Sequence, residues 1–275
     1  MIDVSAMELV MMLAALVGAG AIAGVIGGLF GVGGGTVLVP ALFYAFSVLG
    51  VGGEHNLHVA IGTSLLTIVA TSVRSLATHR KHGAVDEVVL KTWTPWVAFG
   101  GLVGAFIAGG SPMSALAIVY GVCLIAIAVQ MGLLPEHITV RKDLPTVWGR
   151  RVVASVIGTL SAMMGIGGGS FGGLTMTLCG RPIHQAVATS SGFGLAIGAA
   201  ASFGYLVFGW GASGVPPLTL GYVNIPAAII MGLLTGWTAP YGARLAHRLD
   251  RKKLRRAFAL YLAGTAFLVV FKALA

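Results

Sequence analysis

The chain has 275 residues, 57% of them hydrophobic, and only 9% are Asp, Glu, Lys or Arg, where a soluble domain carries about 25%. With a mean hydropathy of +0.94, this excludes an ordinary cytosolic enzyme, a disordered chain and a disulfide-stapled secreted scaffold. The net charge of +9 invites a nucleic-acid partner, but no soluble segment is left to present a basic groove.

A helix needs about 20 apolar residues to cross a bilayer. Apolar segments lie at 9–30, 36–49, 57–78, 92–109, 113–132, 150–166, 169–180, 184–209, 219–243 and 254–274. The first is preceded by Asp3 and Glu8 and by no Lys or Arg, so it reads as a retained membrane segment rather than a cleaved signal peptide. Segments 36–49, 150–166 and 169–180 are short; twelve to fourteen residues reach about 20 Å of a roughly 30 Å core. They read as half-helices, re-entrant hairpins or mismatched spans. The 42 glycines follow no collagen period and suit closely packed membrane helices. Cys123 and Cys179 sit in apolar runs without metal-ligand spacing and read as buried thiols. No metal site and no cofactor is expected.

All eight acids lie at or beyond segment ends: Asp3, Glu8, Glu54, Asp86, Glu87, Glu136, Asp143 and Asp250. The bases cluster at Arg80, Lys81 and Lys91; at Arg141, Lys142, Arg150 and Arg151; and from Arg244 to Arg256. This is the positive-inside pattern, which makes those three loops cytoplasmic. The expectation is a multi-pass protein of the bacterial cytoplasmic (inner) membrane with both termini outside. Its partners would be the lipid bilayer, a small anion and a second copy in a homodimer, with no nucleic acid.

The sequence repeats. Gly31-Val32-Gly33-Gly34-Gly35-Thr36 returns as Gly165-Ile166-Gly167-Gly168-Gly169-Ser170, and His58 to Thr63-Ser64 returns as His184 to Thr189-Ser190. Two motifs in one order with similar spacing indicate duplication. Residues 1–135 form the first membrane repeat, 136–151 a cytoplasmic basic linker and 152–275 the second repeat. Five segments per half give the halves opposite topologies, as in secondary transporters and some channels. The expected fold is an all-α polytopic membrane protein of two inverted repeats, with broken or re-entrant helices at the glycine motifs.

The glycine runs break a helix and expose amide N–H groups. The helix resuming at Thr36, or at Ser170, points a partly positive N-terminus at whatever lies at its tip. Two opposed tips would make an anion site at the midplane without a buried cation. The predicted substrate contacts are Gly33, Gly34, Gly35, Thr36, Thr63, Ser64, Gly167, Gly168, Gly169, Ser170, Thr189, Ser190 and Asn224. The competing reading for the glycines is tight helix crossing; for the hydroxyls it is a bond back to a carbonyl one turn earlier. Thr63, Thr67, Thr71, Arg74 and Thr78 fall within about an 80° arc of one helix, lining either a polar path or a neighbouring helix. Arg74 either faces that path or snorkels to the headgroups. His58 and His184 begin equivalent helices as proton carriers or structural caps. Neither a nucleotide-binding G-x-x-x-x-G-K-[ST] nor H-E-x-x-H occurs. Gly211-Ala212-Ser213-Gly214 matches an intramembrane serine-protease motif, but it lies in a predicted outer loop, opposite its candidate base His247.

These motifs, with Gly221–Ala227 and Thr238–His247, resemble the sulfite exporter TauE/SafE family of bacterial membrane transporters. The resemblance implies movement of small sulfur-containing anions such as sulfite, sulfoacetate or other organosulfonates. The expected function is export of such an anion, with uptake or a channel as the alternative and a serine hydrolase as a minor one.

Overall fold

The structure is a computed structural model that describes residues 6–30, 34–133, 144–246 and 250–274. These form α1 (Ala6–Phe30), α2 (Gly35–Val48), α3 (Asn56–Lys81), α4 (Glu87–Gly109), α5 (Met113–Leu133), α6 (Val147–Met164), α7 (Gly169–Leu178), α8 (Ile183–Phe208), α9 (Ile225–Ala246) and α10 (Arg251–Leu274). One antiparallel pair of two-residue strands, β1 (Thr219–Leu220) and β2 (Val223–Asn224), precedes α9. The protein is an all-α polytopic membrane protein. Helices α3, α5, α8 and α10 are each long and apolar enough to cross a bilayer. Gly33, Arg141, Lys142, His247 and the first half of the linker at 136–151 lie outside the described residues.

The two short helices are short for the same local reason. At 14 and 10 residues, α2 and α7 reach only about 21 and 15 Å. Each starts at a glycine triplet and stops at a glycine in the left-handed region, Gly50 (φ 66°) and Gly180 (φ 77°). At both stops two backbone bonds close a Schellman cap: Gly50 to Ser47 and Val51 to Phe46, Gly180 to Thr177 and Arg181 to Met176.

Two segments differ from the sequence reading. Helix α6 begins at Val147, giving 18 residues rather than a half-helix. The segment read as 219–243 is not helical at its start. Left-handed turns at Leu218 (φ 61°) and Gly221 (φ 57°) fold residues 219–224 into the β-hairpin. Helix α9 starts only at Ile225, where Pro226 loses nothing by lacking an N–H in the first turn.

The halves interleave. Helix α1 lies along α9, as α6 lies along α4; α3 packs on α8 and α5 on α10. Matching glycines make the two exchanged contacts possible. A Cβ on Gly24 would strike Thr238 Oγ1 and the Thr235 backbone, and one on Gly158 would strike the Val97 carbonyl. These glycines hold the same register relative to their triplets, seven residues before Gly31 and Gly165 respectively. Small residues let backbones approach where lipid supplies no hydrophobic drive between helices. The symmetry is incomplete: α4 packs closely on α8, whereas α9 meets α3 more sparsely. That sparse seam holds the cavity.

Candidate functional site

A cavity of about 910 Å³ lies between α3 and α9 and reaches α1, α2, α5, α7 and α8. Its inner end is at Gly34, Gly167 and Ile68, and it runs past Thr71 and Arg74 toward Gln130, Ile183 and Ala239. Those outer residues lie at the basic ends of their helices. The first ten residues of α3, Asn56–Leu65, are all buried, so the helix is sealed toward the opposite face.

The two glycine tips meet. A Cβ on Gly35 would stand 2.8 Å from both the Gly165 carbonyl oxygen and Ile166 Cα. The triplets do different work, however. Gly35 is a packing glycine, and so are Gly167, set against Ile68, and Gly168, set against Ile197 and Phe193. Gly34 (φ 75°) and Gly169 face the cavity, and Gly169 has nothing within 4 Å of a built Cβ. The hydroxyls that follow the triplets form a matched pair: Thr36 Oγ1 and Ser170 Oγ are both buried and make no hydrogen bond among the described residues. Thr36 is fully buried behind the tip, and Ser170 lines the cavity. Buried polar atoms are seldom left unpaired, and the first N–H groups of α2 and α7 have no carbonyl one turn back within their helices.

The Thr–Ser pairs divide. Thr63 Oγ1 accepts the backbone N–H of Asn224 at 2.9 Å, and Thr189 Oγ1 accepts that of Asp86 at 2.9 Å. Each recipient then caps the helix it precedes: Asn224 Oδ1 accepts from the Ala227 N–H, Asp86 Oδ1 from the Val89 N–H. The threonines therefore fasten the start of a helix in the other repeat, and neither lines the cavity. Asn224 also donates its amide to the Pro217 carbonyl and Thr219 Oγ1, so its side chain is fully engaged away from the cavity. The serines break the symmetry. Ser64 Oγ donates to the Gly165 carbonyl at 2.9 Å, across the repeats. Ser190 bonds back to Val187 within α8 and faces the cavity.

The histidines also differ. His58 is buried with Nε2 at 3.0 Å from the carbonyls of both Ala108 and Ser111. Two acceptors there require the proton on Nε2, which clasps the α4–α5 turn to the start of α3. The rings of His55 and Tyr222 lie 5.8 and 5.1 Å from it, remote from the cavity. His184 is exposed.

Of the predicted threonine stripe, Thr67, Thr71 and Arg74 line the cavity and Thr78 does not. The Arg74 guanidinium crosses the seam: Nη1 lies 3.4 Å from where a Cβ on Gly236 of α9 would stand. Three residues carry more than the sequence reading assigned. Asp86 is the counterpart of Asn224, legible only as an N-cap before α4. Gly236 gives Arg74 its room. Gln130, near a helix end, lines the outer cavity. Ser213 is exposed in the α8–β1 loop.

The family model described as "Sulfite exporter TauE/SafE" matches residues 16–269. A Haemophilus influenzae protein named "Probable membrane transporter protein" is 31% identical over 258 residues, covering 92% of this chain and 96% of its own. A probable membrane transporter protein of Methanocaldococcus jannaschii is 28% identical over 258 residues, covering 90% and 91%. Another, YunE of Bacillus subtilis, is 30% identical over 194 residues, covering 64% and 71%. No solved structure matches the chain. With a match across nearly the whole bundle and relatives named as transporters rather than enzymes, the chain belongs to the sulfite exporter TauE/SafE family and is a membrane transporter.

Proposed function

We propose that the protein is a secondary transporter that exports a small sulfur-containing anion, sulfite or an organosulfonate, across the bacterial cytoplasmic membrane. The basic face would be cytoplasmic. The observation that carries the reading is the cavity. It ends at two helix tips in contact, and among the described residues that line it there is one cation, Arg74, and no carboxylate; it extends toward the basic face. Thr36 and Ser170 add unpaired hydroxyls at the tips, and the first turns of α2 and α7 add the N–H groups and positive dipole ends that suit an anion.

Energetics favour export. Moving one negative charge out of an inside-negative cell releases about 2.3 kcal/mol per 100 mV, so no co-ion is required. Uptake would need a coupled cation, and among the described residues no acid lines the cavity to carry a proton. A channel needs a continuous path, and the buried stretch Asn56–Leu65 stands across it. Release on the other side requires the reverse asymmetry: α3 closing on α9, α8 parting from α4, and Ser64 exchanging its cross-repeat bond for the in-helix bond Ser190 makes here. The repeats themselves (residues 1–135 and 152–275) would be the units that exchange.

Counterflow in proteoliposomes tests this. Sulfite and simple organosulfonates should exchange, with net efflux accelerated by an inside-negative potential and unaffected by a proton or sodium gradient. If none of these anions moves or competes at either sign of voltage, the reading fails. Gly34→Leu should abolish flux in an inserted protein, since Gly34 faces the cavity.

A further inference from the structure

We infer that this cavity, with Arg74 as its cation in a largely apolar wall, is selective for singly charged anions over doubly charged ones of the same size; the inference rests on the anion-transport reading above and narrows its substrate. Among the described residues lining the cavity, Arg74 is the one charged side chain, and the wall around it is largely apolar. The ion pairs on the basic side, Arg80 with Glu87 and Arg181 with Asp86, use other residues. Among the described residues the cavity therefore offers one positive charge with no acid beside it.

No other described lining residue adds a second charge: Ser170 Oγ at the inner end makes no hydrogen bond among the described residues and Gln130 lies at the outer end, and both are neutral. Thr67, Thr71, Thr177, Ser190, Ser191 and Thr235 already donate their hydroxyl protons to carbonyls of their own helices. What they turn to the cavity is oxygen lone pairs, which do not stabilise a negative charge. The helix tips are displaced from the guanidinium. Arg74 reaches Gly236, one turn on the basic side of Gly232, and Gly232 packs on Thr67. That turn is roughly 6 Å, and a helix-end field fades within its first turn. A planar guanidinium matches two oxygens of one sulfonate or hydrogensulfite group. A dianion seated there keeps one negative charge unpaired against an apolar wall, which is the costly case.

The probes are isethionate and sulfoacetate, which share a two-carbon sulfonate skeleton and carry one and two charges. Their binding to the purified full-length protein is measured by calorimetry, and their competition in proteoliposome flux is measured alongside. A charge in a dry membrane site costs a factor on the order of 100, and the cavity's wet mouth reduces this to about tenfold. Isethionate should bind about ten times more tightly than sulfoacetate in the wild type. Arg74→Gln should weaken both anions, sulfoacetate at least as much as isethionate because a cation attracts two charges more than one, while Arg74→Lys should restore much of the isethionate binding and keep the preference for one charge. Gly236→Val, which pushes the guanidinium aside without removing it, should reduce isethionate affinity. Sulfoacetate binding as tightly as isethionate in the wild type would overturn the inference and leave anion transport standing. So would isethionate binding that Arg74→Gln leaves unchanged. If neither anion binds or competes, both the inference and the transport reading fall.

Discussion

The two halves of the transporter were built from one motif and have been put to different uses. At the third glycine of the first triplet the tip is closed: Gly35 is wedged against Gly165, and Ser64 is bonded across to the other repeat. At the third glycine of the second triplet the tip is open: Gly169 has free space around it, and Ser190 has turned back into its own helix. The threonine next to each serine does not vary, since Thr63 and Thr189 both hold the first turn of a helix from the opposite repeat. The lesson is that the Thr–Ser motif has two jobs. The threonine maintains the interleaved frame, and the serine follows the state of the gap beside it.

The largest expected effect sets the closed tip against the open one. Gly35→Val places a side chain against backbone that cannot move aside and should cost about 1–3 kcal/mol or more, seen as a lower melting temperature in detergent. Gly169→Ala should leave the melting temperature unchanged. Equal losses at both positions would mean that the tips are packed alike. Next come the threonines. Thr63→Val and Thr189→Val each strand a backbone N–H and should each cost about 1–3 kcal/mol. Thr63→Val should cost more, because Asn224 is fully buried while the Asp86 bond is partly accessible. A neutral result at either position would break the shared-frame reading.

A smaller difference separates the serines. Ser64→Ala should destabilise by about 1 kcal/mol through loss of the bond to Gly165. Ser190→Ala should leave the melting temperature within error and alter exchange kinetics instead. The smallest effect is expected at the second hairpin. Arg181 lies 3.7 Å from Asp86 and is substantially exposed, so Arg181→Ala should shift stability by less than about 0.5 kcal/mol, and less still in high salt.

Much of this molecule could be read before it was folded. The ten apolar segments correspond to the ten α-helices among the described residues because membrane-spanning length and apolarity are local properties of a chain. The glycine triplets correctly marked where two helices break, since a run of three glycines cannot propagate one. The start of α9 was missed because the stretch from Thr219 is as apolar as a helix; the breaks at Leu218 and Gly221 are backbone conformations, not composition. The candidate site was only partly legible. Thr67, Thr71 and Arg74 share one helix face, and that face does line the cavity. Asn224 reads from the sequence as a substrate contact, but a buried amide can repay its desolvation with protein partners as well as with a ligand, and here its partners are Pro217, Thr219 and Ala227.

The sequence by itself determined the class of molecule, the positions of the breaks and the duplication, because each depends on residues close together in the chain. The tertiary structure alone decided which glycine of each triplet packs and which faces open space, which hydroxyls are spent on frame bonds, and that Arg74 reaches across the seam to Gly236. Those outcomes depend on distances between residues more than 100 positions apart. Two near-identical motifs cannot differ in their own sequence, so what distinguishes them is the neighbour that the fold brings to each.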